Sequence, residues 1–184
     1  MRRPQVHPGG LCWIVFAKWE DVELWPEIDP ITGVANTPIK LFAGRTWYEA
    51  KVTYKGKMFI ETDKQDATGP FWDMQVTGYI GGNSTSNTLS AAAMLYHQYV
   101  VMFEDLDGQI RFIGNTDTGA GVNVPYNSGE KESSRKRTIT WGWQHPNPAP
   151  IYIGGLTDII DDVIIPPFAG AGDFNEDFSN DFNI

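Results

Sequence analysis

The chain has little from which to build an active site. Its 184 residues include one cysteine, Cys12, which excludes an intrachain disulfide. Cys12 lies in an apolar run and reads as a small buried hydrophobe rather than a reactive thiol. The three histidines, His7, His97 and His145, are scattered, and none stands at metal-ligand spacing with a cysteine or another histidine. No apolar stretch approaches the roughly 20 residues that cross a bilayer, so no membrane insertion is expected. The start, Met1-Arg2-Arg3-Pro4, is basic. Its apolar run, residues 11–17, is short and lacks a small-residue cleavage site, unlike a signal peptide.

Sequence motifs for catalysis and cofactors are equally scarce. Asp105-Leu106-Asp107-Gly108 resembles the opening of a calcium loop but lacks the third ligand and the closing Glu, and a hairpin turn explains it better. Gly119-Ala120-Gly121 is followed by no Lys-Ser or Lys-Thr, so it is no phosphate loop. No Gly-x-Ser-x-Gly elbow occurs. Glu104 and Asp105 are adjacent and on a strand point to opposite faces, a poor acid–base pair. The expectation is a protein that is not an enzyme, with no cofactor and no metal.

Basic charge is the third scarcity. The formal net charge is −9, and from Thr157 onward there are seven acidic residues and no Lys or Arg. The preceding 156 residues carry 16 acids and 14 bases, a net −2. A nearly neutral body with an acidic terminus argues against a nucleic-acid surface, which needs Lys and Arg opposite phosphates. The only basic run, Arg135-Lys136-Arg137, reads as a solvated strand entrance or a contact with an acidic neighbour.

What the chain does have is strand and turn sequence: seven Trp, 19 Gly and 12 Pro. Residues 11–19 predict a strand apolar on both faces, Leu11, Trp13, Val15, Ala17 and Trp19 opposing Cys12, Ile14 and Phe16. Residues 20–43 form a long connection containing Pro26, Pro30 and Pro38, a length that implies a job. Residues 46–62 predict an amphipathic hairpin turning at Lys55-Gly56. Residues 71–80 predict a strand with Trp72, Met74, Val76 and Ile80 on one face. A helix follows N-cap candidates at Ser84–Asn87, with Leu89, Ala92, Ala93 and Tyr96 as its core stripe. Residues 99–105 and 109–114 predict a hairpin turning at Asp107-Gly108, type I′. Residues 115–134 read as loop or weak strand. Residues 137–143 predict a strand with Ile139, Trp141 and Trp143 facing the core, before a Pro-rich exit. The fold class is therefore mainly β: an antiparallel β-sandwich or barrel of about eight strands with one flanking α-helix. Residues 1–155 form this domain. Residues 156–184 form an acidic extension whose Asp173-Phe174, Asp177-Phe178 and Asp181-Phe182 repeat every four residues.

The stretch Tyr99-Val100-Val101-Met102-Phe103-Glu104-Asp105-Leu106-Asp107-Gly108-Gln109-Ile110-Arg111-Phe112-Ile113-Gly114 resembles the late hairpin of tail-tube-like proteins from phages and prophages of Bacteroidetes-type hosts. The final strand and its exit, Gln144-His145-Pro146-Asn147-Pro148-Ala149-Pro150-Ile151-Tyr152, and the Asp-Phe terminus are similar too. The resemblance spans residues 71–152. It implies a tail-tube fold, with six copies closing into a ring and rings stacking around a lumen that passes DNA without binding it specifically. It also implies a place in the virion tail, with assembly in the host cytoplasm. The partners implied are copies of the chain and the tape-measure, terminator and baseplate proteins. Trp47, Tyr48, Met58, Phe59, Phe174, Phe178 and Phe182 are the expected subunit-interface residues, and Glu49, Glu61 and Asp63 the expected lumen residues. Residues 20–43 and the acidic terminus lie outside the tube pattern. Another tail ring component (terminator, distal tail or baseplate protein) therefore stays open, as does a secreted β-sandwich that binds glycan or protein. If the Phe side chains of the extension anchor a partner, deleting residues 170–184 lowers assembly in sedimentation velocity. Unchanged sedimentation contradicts that role.

Overall fold

The computed structural model describes residues 10–52, 56–67, 69–81, 85–127 and 136–154. Their strands are β1 (Leu11–Lys18), β2 (Val22–Leu24), β3 (Val34–Ala35), β4 (Lys40–Leu41), β5 (Tyr48–Glu49), β6 (Met58–Asp66) and β7 (Gly69–Gly81). The helix α1 (Thr85–Met94) follows, then β8 (Tyr99–Asp105), β9 (Ile110–Ile113), β10 (Gly121–Asn123), β11 (Tyr126–Asn127), β12 (Lys136–His145) and β13 (Ile151–Tyr152). The protein is mainly β, with one lone helix among the described residues. There are more strands than the eight expected because five of the thirteen are only two residues long. The Lys55-Gly56 turn, the helix N-cap, the boundary near 155, and Phe174, Phe178 and Phe182 involve residues outside the described ones.

The first sheet has the order β3-β13-β9-β8-β1-β5 and the second β10-β12-β7-β6, with β11 also on β12. The two do not close into a barrel. They face each other as a sandwich. Ile14, Phe16, Val101 and Phe103 of the first sheet share one core with Met74, Val76, Ile139, Trp141 and Trp143 of the second. Phe16 meets Trp141 at 5.3 Å and Phe59 meets Phe103 at 4.5 Å between ring centroids. Contacts of this kind add roughly 0.5–1.5 kcal/mol each to the burial of the rings.

β1 and β8 are indeed apolar on both faces. Their other face, Val15, Ala17, Val100 and Met102, packs under Val22, Ala35, Ile39 and Trp47 of residues 20–47. That is the job of the long Pro-rich connection: it covers the back of the first sheet. Asp21 pins it, accepting from Phe42 N through its backbone carbonyl (3.0 Å) while its buried carboxylate meets Arg45 Nε at 3.2 Å. A bulge between Leu11 and Trp13 corrects the expected face of Leu11, which joins Ile14 and Phe16 in the inter-sheet core. It also leaves Cys12 exposed rather than buried, its Sγ 3.5 Å from Asp105 O.

Residues 46–62 are not a hairpin. β5 pairs with β1 (Phe16↔Tyr48) and β6 with β7 (Met58↔Thr77), so the chain changes sheets between them. Pairing with β1 satisfies an edge that would otherwise be bare, and Ala50 N extends it by donating to Ile14 O at 2.9 Å. Val52 then crosses over Gly78, where a Cβ would sit 2.6 Å from Val52 Cγ1.

The helix face also differs from expectation. Leu89, Ala92, Ala93 and Tyr96 are exposed, while Ala91 is buried and Met94 half-buried. Two bonds set the rotation: Tyr99 Oη donates to Met94 O (3.1 Å) and Arg137 Nη2 to Thr88 Oγ1 (3.1 Å). Arg137 is accordingly buried, not a solvated strand entrance. It also donates to Val124 O and lies over the Tyr126 ring.

The β8–β9 hairpin forms where expected but with another turn. Asp105 N donates to Gln109 O (3.0 Å) and Gly108 N to Asp105 O (3.1 Å). Gly108 has φ +79°, and no non-glycine residue has positive φ among the described residues. Type I′ needs positive φ at both centres, so this is a three-residue loop with one left-handed position. Asp105 Oδ1 caps it, accepting from Asp107 N and Gln109 N at 2.9 Å each. Gly108→Val forces a β-branched residue into that region and lowers unfolding free energy by about 1–3 kcal/mol in urea titration. Wild-type stability would show that the turn tolerates a side chain there.

Candidate assembly edge

The second sheet ends in a long unpartnered strand. β6 is nine residues long and terminal in its sheet, paired to β7 from Met58↔Thr77 to Asp66↔Gly69. β12 follows β7 only as far as His145↔Trp72. Beyond that point Lys64–Asp66 and Gly69–Phe71 project as a two-stranded tip. Its β6 side, Lys64, Gln65 and Asp66, is polar and exposed. The outer side of β6 carries no strand among the described residues, the ordinary condition for pairing with another chain. At the opposite end of the sheet β10 and β11 are three and two residues long.

The register sorts the side chains. Phe59, Glu61 and Asp63 stand opposite Val76, Met74 and Trp72, on the face toward the first sheet. Met58, Ile60, Thr62 and Lys64 share the other face with Thr77, Gln75, Asp73 and Phe71. β12 adds Thr138, Thr140, Gly142 and Gln144 to it, and β10 adds Gly121 and Asn123. This outer face carries no covering layer among the described residues. It is mostly Thr, Gln, Asn and Gly, with one ion pair, Lys64 to Asp73 at 2.5 Å. Thr77 and Thr140 hydroxyls meet at 3.2 Å.

No protein-family model, curated protein or solved structure matches this chain.

The expected site residues divide between the sheets. Trp47 is buried under the first sheet, 4% exposed, and is a core residue of its own chain. Tyr48 leans on Phe16 and Glu49 is exposed, both on β5. Met58, Phe59, Glu61 and Asp63 do share one strand. Glu61 is mostly buried: Oε1 accepts from Ala149 N at 2.7 Å and Oε2 lies 3.7 Å from Arg111 Nη1, tying β6 to β9 and to the Pro-rich exit. Asp63 is exposed. Glu49, Glu61 and Asp63 therefore do not form one acidic patch. The projecting tip was missed because its polar run does not look like strand; Gly69-Pro70 beside it was the available turn signal. Of the seven Trp, Trp47, Trp141 and Trp143 are buried and Trp13, Trp19, Trp25 and Trp72 half-buried. Among the described residues no three His, Cys, Asp or Glu side chains could hold a metal ion.

Lys64 holds the Asp73 carboxyl below its ordinary value, first through the hydrogen bond it donates and then by charge, against partial burial; Gln144 and Gln75 also donate to it. A depressed carboxylate stabilises the fold above the unfolded value, near about 4, and loses that effect as pH falls through the folded value. Lys64 is half exposed, so the pair contributes about 0.5–1 kcal/mol. Asp73→Asn is expected to lower stability by that amount at pH 7, with the gap to wild type closing as the pH falls through the depressed folded value of Asp73. A gap that stays constant as the solution is acidified contradicts the pairing.

Proposed function

We propose that this chain is a structural subunit of a phage tail tube, assembling into stacked, hexameric rings around a DNA-conducting lumen. The single observation that carries the reading is β6, a long strand left unpaired at the end of a sheet whose other end is short. Pairing β6 of one copy with the β10–β11 edge of the next would continue the sheet from subunit to subunit and bury the edges of both. Repetition with a constant rotation closes a ring. Glu61, Asp63, Lys64 and Asp66 on β6 discourage indiscriminate pairing and favour a matched partner.

In such a ring the uncovered face of the second sheet would be the lumen wall. The back of the first sheet already carries its own layer, so it is the face toward the outside. Lys64 pairs with Asp73, which leaves the proposed wall short of the tip without net charge, a mixture of Thr and Gln with Met58 and Ile60, in place of the acidic wall expected from Glu49, Glu61 and Asp63. A wall of Thr and Gln offers phosphates no array of cations, so DNA would slide past without being held. The resemblance of residues 71–152 in sequence to tail-tube-like proteins supports the same reading.

Gly121 and Ile60 end one cross-sheet row, Gly121–Gly142–Gln75–Ile60, on the uncovered face. Ile60 is 46% exposed, and a Cβ on Gly121 meets open space. In a Cys12→Ser background, Ile60→Cys with Gly121→Cys is expected to give, on mild oxidation, a ladder of disulfide-linked oligomers ending in a closed ring. Each single cysteine stops at dimer. Monomer alone from the double variant would argue against edge-to-edge closure.

A further inference from the structure

We infer that Tyr96 of one copy seats in the groove at the open end of the sandwich of the next copy. The inference rests on the edge-to-edge reading above and gives that polar contact an apolar anchor. The groove is a cavity of about 390 Å³, opening to solvent where the end of β8 meets β6. Leu11, Phe59, Phe103 and Leu106 supply its apolar wall. Its carboxylates already have partners in their own chain. Glu61 accepts from Ala149 N and lies 3.7 Å from Arg111, Asp105 Oδ1 caps the β8–β9 turn, and Asp107 is engaged as well. What the groove leaves open is therefore apolar surface, which suits a ring rather than a charge.

Two observations select the occupant. The first is position. β8 ends at the groove and starts at Tyr99, which exchanges backbone hydrogen bonds with Ala120 at 2.9 and 2.7 Å, next to Gly121 at the head of β10. β6 lines the groove, so the two edges of the second sheet stand at opposite ends of β8. Pairing one copy's β6 edge with the next copy's β10 edge would set the groove against whatever projects at the start of β8. That is the turn Leu95-Tyr96, between α1 and Tyr99. The second observation is exposure. The Tyr96 ring is 87% exposed, the most open aromatic among the described residues, and Leu95 beside it is 55% exposed. The turn itself is held. His97 N donates to Met94 O at 3.3 Å, Tyr99 Oη donates to the same oxygen at 3.1 Å, and Gln98 Oε1 accepts from Gly119 N at 3.1 Å. A fixed, bare aromatic at one end of a molecule and an open apolar groove at the other form a heterologous pair, which repeats from copy to copy. Tyr is enriched among the residues that anchor interfaces in such pockets, and a held turn loses little freedom on seating.

Hydroxyl-radical footprinting of the full chain over a concentration series, run beside sedimentation velocity, tests the seat. Tyr96 and Leu106 are expected to label in the monomer and to lose most of that labelling together as the chain assembles. Tyr96→Ser is expected to raise the concentration of half-assembly at least about tenfold, whereas Tyr96→Phe, which keeps the ring, stays within about twofold of wild type. The side chain is solvated in a single copy, so neither variant shifts the urea midpoint of the monomer. Assembly with Tyr96 still labelled, or groove protection that survives Tyr96→Ser, overturns the seat but not the edge pairing. Joint protection of Tyr96 and Leu106 with no disulfide ladder from Ile60→Cys/Gly121→Cys supports the seat and rejects the edge pairing. A chain that stays monomeric and fully labelled at every concentration overturns both.

Discussion

β1 pairs with β8, and both strands are apolar on both faces. Two covers are therefore needed, and the fold supplies two different ones. On one side the second sheet presents Met74, Val76, Ile139, Trp141 and Trp143. On the other, residues 20–47 lay Val22, Ala35, Ile39 and Trp47 over Val15, Ala17, Val100 and Met102. Burying a large apolar side chain stabilises by roughly 1.5–3 kcal/mol. Leaving either face open would therefore outweigh any local turn or ion pair. The position of every other element follows from these two layers. The second sheet spends one face on the core, and its other face and one edge are left over.

That remainder is where the proposed function lies. A polar face alone needs no partner, because water serves it. A nine-residue edge of peptide groups is a different matter, since it is a template for any extended chain. The charges on β6 guard it without closing it. A sheet with one long edge and one short one fits pairing with a copy of itself better than binding of a small ligand. The Glu61 clamp has a related consequence. It ties β6 to β9 and to the exit at Ala149, so the edge is held to the body of the sandwich rather than hanging free.

The legibility of this fold in its sequence followed the location of the apolar residues. The two-faced strand β1, the β8–β9 hairpin and the Ile139–Trp141–Trp143 face were readable because burial leaves a period in sequence. The pairing of residues 46–62 was not. Alternation in Tyr48, Ala50 and Val52 says that a strand has two faces, and any partner would produce it. The tip of the β6–β7 hairpin was silent because its β6 side is polar and exposed. Apolar spacing pointed to the wrong side of α1, since hydrogen bonds from Tyr99 and Arg137 decide the rotation of so short a helix. Cys12 escaped because one bulged residue reverses every inference about faces upstream of it. Of the residues expected at an interface or a lumen, Met58, Phe59, Glu61 and Asp63 share β6, while Trp47 is buried in its own chain and Glu49 belongs to the other sheet.

Electron microscopy of the purified full chain over a rising concentration series tests edge-to-edge assembly most directly. Closed rings, stacking into tubes with a central hole, are the predicted result, with β6 of each copy laid against the β10–β11 edge of the next and the Thr- and Gln-rich face turned inward. A particle that stays monomeric at every concentration, or an assembly in which β6 faces solvent in every copy, would contradict it.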